Sequence, residues 1–119
     1  MKNSRLSRTI ENLRTWGANI DEGLQRCLNN EAFYLKMVGK LKGDTRLAQL
    51  REAIEAGDLK TGFEHAHALK GVLANLALTP VLDPVLEMTE LLRAGTQTDY
   101  TALLSKAEAE MSTLQAMLD

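Results

Sequence analysis

Apolar residues recur every three or four positions along almost the whole chain, and no segment alternates strictly between apolar and polar residues. This spacing is typical of amphipathic helices, whereas a half-buried strand requires a period of two. Gly43 and Gly57 are each followed by aspartate, a pair suited to ending one helix and capping the next. Because the connections are short, successive helices should be antiparallel neighbours. The sequence predicts an all-α fold, an up-and-down antiparallel four-helix bundle with one or two short extra N-terminal helices.

The helix boundaries are predicted from glycines, prolines and capping residues, and the helical segments are residues 7–16, 21–29, 31–56, 59–76, 84–94 and 99–118. One boundary stays open, because the apolar pattern loses phase near Gly43, where the helix either breaks or kinks and continues. We expect a turn over residues 79–83, since Pro84 is tolerated in a first helical turn but not well inside a helix. Residues 1–119 are predicted to form a single domain, with a peripheral helix within residues 1–19 and the bundle over about 30–118.

The second predicted helix carries a narrow apolar face, which consists of Ile20, Leu24, Cys27 and Leu28. Cys27 on this face is predicted to be a small core residue rather than a reactive thiol. It is the only cysteine of the chain and cannot form an internal disulfide. A single unpaired cysteine fits a reducing compartment.

Composition and charge exclude several classes of function before any motif is considered. The formal net charge is −2 with both signs interspersed, so there is no basic footprint for nucleic acid and no polybasic patch for a membrane. No apolar run approaches the roughly 18 residues of a membrane span, and the N-terminus lacks the apolar core of a signal peptide. We therefore expect a cytoplasmic protein, by default a monomer, that binds neither nucleic acid nor membrane.

Both histidines of the chain, His65 and His67, fall in the predicted helix of residues 59–76. At about 100° per residue, the apolar face of this helix is centred on Leu59, Ala66, Leu69, Leu73 and Leu76. His67 lies about 120° from Leu73 and so outside the buried arc, whereas His65 lies about 200° from His67. The residues within roughly 60° of the direction of His67 are Lys60, Glu64, Lys70, Gly71, Ala74 and Leu78.

This geometry argues against several kinds of site. His65 and His67 point to nearly opposite sides of one helix, so they cannot share a metal ion. Glu64 and His67 have the spacing of a di-metal bundle motif, but the chain has no further histidine for the second half of such a site. No glycine-rich phosphate loop is present, and neither histidine has an obvious serine or cysteine nucleophile to activate. The sequence predicts neither a metal site nor a cofactor site.

The remaining chemistry belongs to the imidazole of His67. An exposed imidazole is neutral in a large fraction of molecules near pH 7, and its free nitrogen can then attack phosphorus. Lys70, one turn further on, can balance the charge of the phosphoryl oxygens. Gly71 leaves room for a phosphoryl donor, although a glycine inside a helix costs on the order of 1 kcal/mol relative to alanine. Two plainer interpretations stay open: His67 as a solvated surface histidine, and Gly71 as a point of close helix packing.

The segment AHALKG at residues 66–71, with the following Asn75 and Leu76, resembles the signature of histidine-containing phosphotransfer (HPt) domains. Residues 20–24, Tyr34 and the turn at residues 56–58 also look like parts of this family. The resemblance covers roughly residues 17–118 and is most specific at the histidine motif. One departure is Ala77, where the family often has glycine, and we expect it to affect only the end of the helix.

The resemblance implies a helical bundle with a phosphorylatable histidine in mid-helix. Such domains take a phosphoryl group from a receiver-domain aspartate and pass it to another receiver, in a phosphorelay that begins at a hybrid sensor histidine kinase. They have no kinase activity and need no cofactor, since the Mg²⁺ belongs to the receiver. Carried over to this chain, the phosphoacceptor is His67, the charge-balancing cation is Lys70, the access residue is Gly71, and His65 is a bystander. The chain would suit a free-standing shuttle or a segment of a hybrid kinase.

Helix phase also predicts where a receiver would dock. The expected docking residues are Lys60, Glu64, Ala74 and Leu78, beside a neighbouring helix that carries Met37, Val38 and Leu41. Small and apolar residues on this strip suit close contact with a protein partner. The alternative is a helical adaptor that binds receiver or kinase domains without phosphotransfer, and it predicts that His67 can be replaced without loss of function.

Overall fold

The computed structural model describes residues 4–118, apart from the side chain of Ser4, and these residues are helical with no strand. The helices are α1 (Ser4–Trp16), α2 (Ile20–Arg26), α3 (Glu31–Gly39), α4 (Arg46–Glu55), α5 (Leu59–Asn75), α6 (Thr79–Arg93) and α7 (Thr101–Ala116). A 3₁₀ turn at Lys40–Gly43 follows α3. The predicted all-α class is confirmed. Residues 1–3 and residue 119 of the predicted domain lie outside the described residues.

The chain breaks between α3 and α4, which settles the boundary that the apolar pattern left open. Asp44 follows the 3₁₀ turn, and its carboxylate accepts a hydrogen bond of 2.8 Å from the backbone N–H of Arg46. The Arg46 guanidinium also forms an ion pair with this carboxylate. Burial raises the pKa of Asp44, but the hydrogen bonds and charge of Arg46 outweigh burial and hold it below its usual value. Asp44 therefore stays ionised at the start of α4, where a carboxylate favours the helix N-terminus.

The second glycine–aspartate pair begins α5, as predicted. Gly57 has a φ of 76°, in the left-handed region that glycine adopts without strain. Asp58 then caps α5, because its side chain accepts a hydrogen bond of 3.1 Å from the backbone N–H of Thr61. This hydrogen bond lowers the pKa of Asp58.

The predicted turn over residues 79–83 is wrong, because α6 runs without interruption from Thr79 and contains Pro84. Pro80 occupies the first turn, where its missing N–H is harmless. Pro84 lies only one turn further on, so it removes a single helical hydrogen bond, the one to the carbonyl of Pro80. Pro84 is buried between the core residues Val81 and Val85, and their burial offsets this local cost.

The prediction that Leu28 lies on a buried face of the second helix is also wrong. The helix α2 ends at Arg26, and Leu28 and Asn29 take up left-handed conformations with φ of 58° and 57°. The change of backbone direction leaves the Leu28 side chain 88% exposed. Cys27, one residue earlier, is buried as predicted.

The core positions α5 at the centre of the molecule, where it packs against both α4 and α6. Helix α6 packs in turn against α7, which also contacts α4. Ala66, Leu69 and Leu73 of α5 are fully buried, so the predicted apolar face of this helix is confirmed. Burying three such side chains stabilises the fold by several kcal/mol at about 25 cal/mol per Å² of apolar surface, and it fixes the rotation of α5 about its axis.

Helices α2 and α3 attach to the C-terminal end of α5. Tyr34 of α3 is fully buried, and its hydroxyl donates a hydrogen bond of 2.9 Å to the carbonyl of Leu76. Burial, with a smaller contribution from Cys27, raises the pKa of Tyr34 to about 12. Arg26 of α2 donates a hydrogen bond to the carbonyl of Ala74 at 2.6 Å. These contacts satisfy carbonyl groups that the end of a helix leaves without partners.

Candidate functional site

His67 lies at the middle of α5 on the side away from the core, and it is exposed to solvent. Its chain neighbour Ala66 is fully buried. The direction predicted for His67 from helix phase is therefore confirmed. His65 is half-buried, and it forms no hydrogen bond or ion pair with the residues at positions 4–118.

An aromatic ring accompanies the exposed imidazole. Phe63 precedes His67 by one turn of α5, and the centroids of the two rings are 5.3 Å apart with their planes 22° from parallel. The guanidinium carbon of Arg93 on α6 lies 4.9 Å from the centroid of the same Phe63 ring. These distances correspond to aromatic stacking and to a cation–π contact.

Two lysines lie on the same side of α5 as His67. Lys60 is exposed and Lys70 half-buried, and neither forms a hydrogen bond or an ion pair within the described part of the chain. Side chains three residues apart on a helix are neighbours, so Lys70 can direct its ammonium group towards a group held on His67. The arrangement offers a nucleophile with an uncommitted cation one turn away.

Gly71 lies beside His67, four residues further along α5. A Cβ atom built at Gly71 would meet no heavy atom within 4 Å outside its own stretch of helix and its two chain neighbours. Gly62 of the same helix differs, because a Cβ atom there would lie 3.5 Å from Leu92. Close helix packing is therefore excluded as the reason for a glycine at position 71, which borders open space.

A groove with a volume of about 580 Å³ opens beside Gly71, between α5 and the chain from α3 to α4. Its lining residues are Met37, Lys40, Leu41, Asp44, Arg46, Ala68, Gly71, Val72, Asn75 and Leu76. Lys40 at its edge is exposed and pairs with none of the described residues. The groove places an unpaired cation and apolar surface beside Gly71.

The structure corrects part of the predicted docking strip. Leu78 is fully buried, because α5 ends at Asn75 and Ala77 turns the chain inward with a φ of 56°. Of the residues expected on the neighbouring helix, Val38 and Leu41 are buried and only Met37 is partly accessible. The remaining members of the strip stay accessible, namely Lys60, Glu64 and Ala74.

The described residues also bear on metal binding and on membrane insertion. Among residues 4–118, no group of three or more histidine, cysteine, aspartate or glutamate side chains is placed to hold a metal ion. No helix in the described part of the chain is both long enough and apolar enough to cross a membrane.

His67 is an exposed histidine at the middle of a helix whose opposite face is buried, and it is followed by Lys70 and by an unobstructed Gly71. The model of the Hpt domain family matches residues 41–119, which is more than half of the chain. The chain belongs to the Hpt domain family, whose members are phosphotransfer carriers in two-component phosphorelays. Comparisons with curated proteins and with solved structures gave no significant match. The match begins at Leu41, so residues 20–24 and Tyr34, which looked like the family's N-terminal segment, lie outside it.

The sequence patterns did not predict the contacts of Phe63 with His67 and with Arg93. The interval of four residues between Phe63 and His67 is the one signal that could have indicated the ring contact, since such residues are neighbours on a helix. Arg93 follows Phe63 by thirty positions along the printed sequence. Only the packing of α6 against α5 brings the guanidinium to the ring.

Proposed function

We propose that His67 accepts a phosphoryl group from the aspartyl phosphate of one receiver domain and passes it to the aspartate of another. The open space at Gly71 beside the exposed imidazole is the observation that supports this acceptor most directly. Glycine inside a helix lowers the stability of the helix by about 1 kcal/mol relative to alanine, and no packing contact requires glycine at position 71. Room for a phosphoryl donor at the neighbouring ring accounts for that loss.

In the first transfer, the lone pair of a neutral imidazole nitrogen forms a bond to phosphorus. The bond between phosphorus and the aspartate oxygen breaks, and its electron pair leaves with the carboxylate of the receiver. The second ring nitrogen keeps its proton, and Lys70 balances the charge that collects on the phosphoryl oxygens. The reverse steps with a second receiver regenerate His67, so the domain acts as a carrier without kinase activity.

The assignment of His67 as the phosphoacceptor also implies the partners, the source of Mg²⁺ and the cellular location. The partners are receiver domains and a hybrid sensor histidine kinase, which meet the accessible residues of the α5 strip and the groove at Lys40. The receiver supplies the Mg²⁺, and this chain contributes no cofactor site. We place the activity in the cytoplasm and in a monomer formed by residues 1–119. The packing of α4 to α7, each against the next, supports a four-helix bundle as its frame.

The experiment that tests this proposal is transfer from a radiolabelled, phosphorylated receiver domain of the source organism to the wild-type chain. We expect a label that is lost in acid and retained in base, because a bond between phosphorus and imidazole nitrogen has that lability. The label should return to a second, unphosphorylated receiver. Failure of every receiver of the organism to label the chain would instead favour the helical adaptor.

If Gly71 gives a phosphoryl donor access to His67, the Gly71→Ala variant should be more stable than the wild type but slower in phosphoryl transfer. Alanine should raise the free energy of unfolding by up to about 1 kcal/mol, since it is the better helix former and meets no neighbouring atom. The same methyl group should slow phosphoryl transfer about tenfold, because it narrows the approach to His67. Urea unfolding and the rate of labelling measure the two effects.

Gly39→Ala is the matched control, since Gly39 also has a helical φ and a Cβ atom there meets nothing within 4 Å. It should gain similar stability and keep the wild-type rate of transfer. An unchanged rate in Gly71→Ala would contradict the access role while leaving His67 as the acceptor.

A further inference from the structure

The imidazole ring of His67 stacks on the aromatic ring of Phe63. Phe63 is half-buried and packs against the hydrophobic core, so its position is set by the fold. His67 is exposed, and an exposed side chain ordinarily exchanges among rotamers within nanoseconds. Stacking at 5.3 Å and 22° restrains the imidazole to one ring plane among those available on the helix surface.

Arg93 of α6 contacts the ring of Phe63 and so connects it to a second helix. Its guanidinium carbon lies 4.9 Å from the Phe63 centroid, and Arg93 also forms an ion pair with Glu90 on the same helix α6. The imidazole and the guanidinium contact one ring, so they lie within about 10 Å of each other. The contact with Arg93 restrains Phe63 from outside α5, and α6 thereby influences the ring that reacts.

We propose that Phe63 is a positioning residue for His67 and that Arg93 holds Phe63 in place from α6. This inference rests on the proposed function of His67 as phosphoacceptor. Attack on phosphorus requires one ring nitrogen in line with the bond that breaks, and orienting the nucleophile lowers the barrier without any new chemistry. The stack keeps the imidazole in one plane in every turnover, whereas a freely rotating imidazole must return to a productive plane before each attack.

The competing interpretation is that Phe63 serves packing alone. It lines a shallow surface pocket of about 400 Å³ with Leu59, Lys60, Leu92, Arg93, Ala94 and Gly95, so an apolar side chain is needed there in any case. Leucine satisfies that need without an aromatic face, and tyrosine keeps the face. Comparing Phe63→Leu with Phe63→Tyr therefore separates positioning from packing.

The test uses phosphoramidate as a small phosphoryl donor, which needs no docking surface. The imidazole lone pair forms a bond to phosphorus while the bond from phosphorus to the donor nitrogen breaks, and ammonia leaves. Phosphorus NMR then distinguishes the two phosphohistidine isomers. We expect the same ratio of the two isomers from the wild type and from Phe63→Tyr, and a different ratio from Phe63→Leu, whose imidazole leaves the stacked plane. Arg93→Gln should shift the ratio in the same direction by a smaller amount.

Transfer from a phosphorylated receiver provides the kinetic readout. Phe63→Leu should lower the rate by roughly threefold to tenfold, the range that corresponds to the preference of an aromatic pair. Phe63→Tyr should remain within about twofold of wild type. Phe33→Leu is the matched control, because Phe33 is the other phenylalanine of the chain, lies exposed on α3 and has no ring partner in the described structure.

The outcomes keep the two proposals apart. An isomer ratio and a rate that both equal those of the wild type in a folded Phe63→Leu would overturn the positioning role and leave the acceptor intact. A wild-type chain that phosphoramidate labels at His67 but no receiver labels would overturn the relay function, and the isomer ratio would still report on Phe63. An isomer ratio that changes equally in Phe63→Tyr and in Phe63→Leu would also overturn the positioning role, because tyrosine keeps the aromatic face.

Discussion

His67→Gln is expected to abolish phosphoryl acceptance, while His65→Gln keeps the wild-type rate. Glutamine has similar polarity and good helix propensity, but its amide nitrogen has no available lone pair for attack on phosphorus. His67 is exposed and its ring stacks on the outer side of the half-buried Phe63, so its replacement leaves the core intact and the variant should fold normally. Labelling by a phosphorylated receiver measures acceptance, and circular dichroism confirms the fold.

His65→Gln is the appropriate control because the two histidines share one helix and one local sequence. His65 forms no polar contact with any residue the structure describes, and its loss should leave transfer intact. Loss of label in His65→Gln alone would mean that the histidine motif has been aligned to the wrong residue. Label retained in His67→Gln would place the acceptor elsewhere and make His67 dispensable, as the adaptor hypothesis requires.

Gly23→Ala is expected to destabilise the protein by about 3 kcal/mol. A Cβ atom at Gly23 would lie 2.6 Å from Cε1 of Tyr34 and 2.7 Å from the carbonyl oxygen of Leu76. The Tyr34 ring cannot move aside freely, since it is fully buried and its hydroxyl is hydrogen-bonded to that same carbonyl. Overpacking and the strained buried hydrogen bond add together, and urea unfolding monitored by circular dichroism measures the sum.

The control for this prediction is again Gly39→Ala, which places a methyl group in open space. Its stability should stay the same or rise by up to about 1 kcal/mol. Equal stability of Gly23→Ala and wild type would mean that α2 can shift away from Tyr34 without loss. In that case the attachment of α2 and α3 to α5 would be looser than the hydrogen bonds at Leu76 and Ala74 indicate.

The sequence predicted correctly those features that depend on neighbouring residues within one helix. Asp58 caps α5 through a hydrogen bond to a residue three positions away, and capping is encoded within a few residues of sequence. The direction of His67 depends on the apolar periodicity of one helix, which Leu69 and Leu73 define. The histidine, lysine and glycine of the motif also lie within five consecutive residues.

The predictions that proved wrong concern residues whose positions depend on tertiary packing more than on local conformational preference. Pro84 ordinarily starts a helix, yet burial of Val81 and Val85 carries α6 through it. Leu28 and Leu78 both follow helix ends at which residues other than glycine adopt positive φ. Such conformations cost energy locally and persist only because surrounding contacts require them, so periodicity placed Leu28 inside and Leu78 outside, the reverse of what is observed.

The sequence by itself determined the helical class, the break before α5, the exposed face of that helix and the identity of its candidate acceptor, since each depends on interactions over one or two helical turns. Tertiary structure alone decided the groove beside Gly71, the burial of Leu78 and the contact of Arg93 with Phe63. These features join residues that are distant in sequence, and their positions depend on how the helices pack. The physical reason is that packing in a core responds to the shape of every neighbour at once, whereas periodicity and capping report only on the nearest residues.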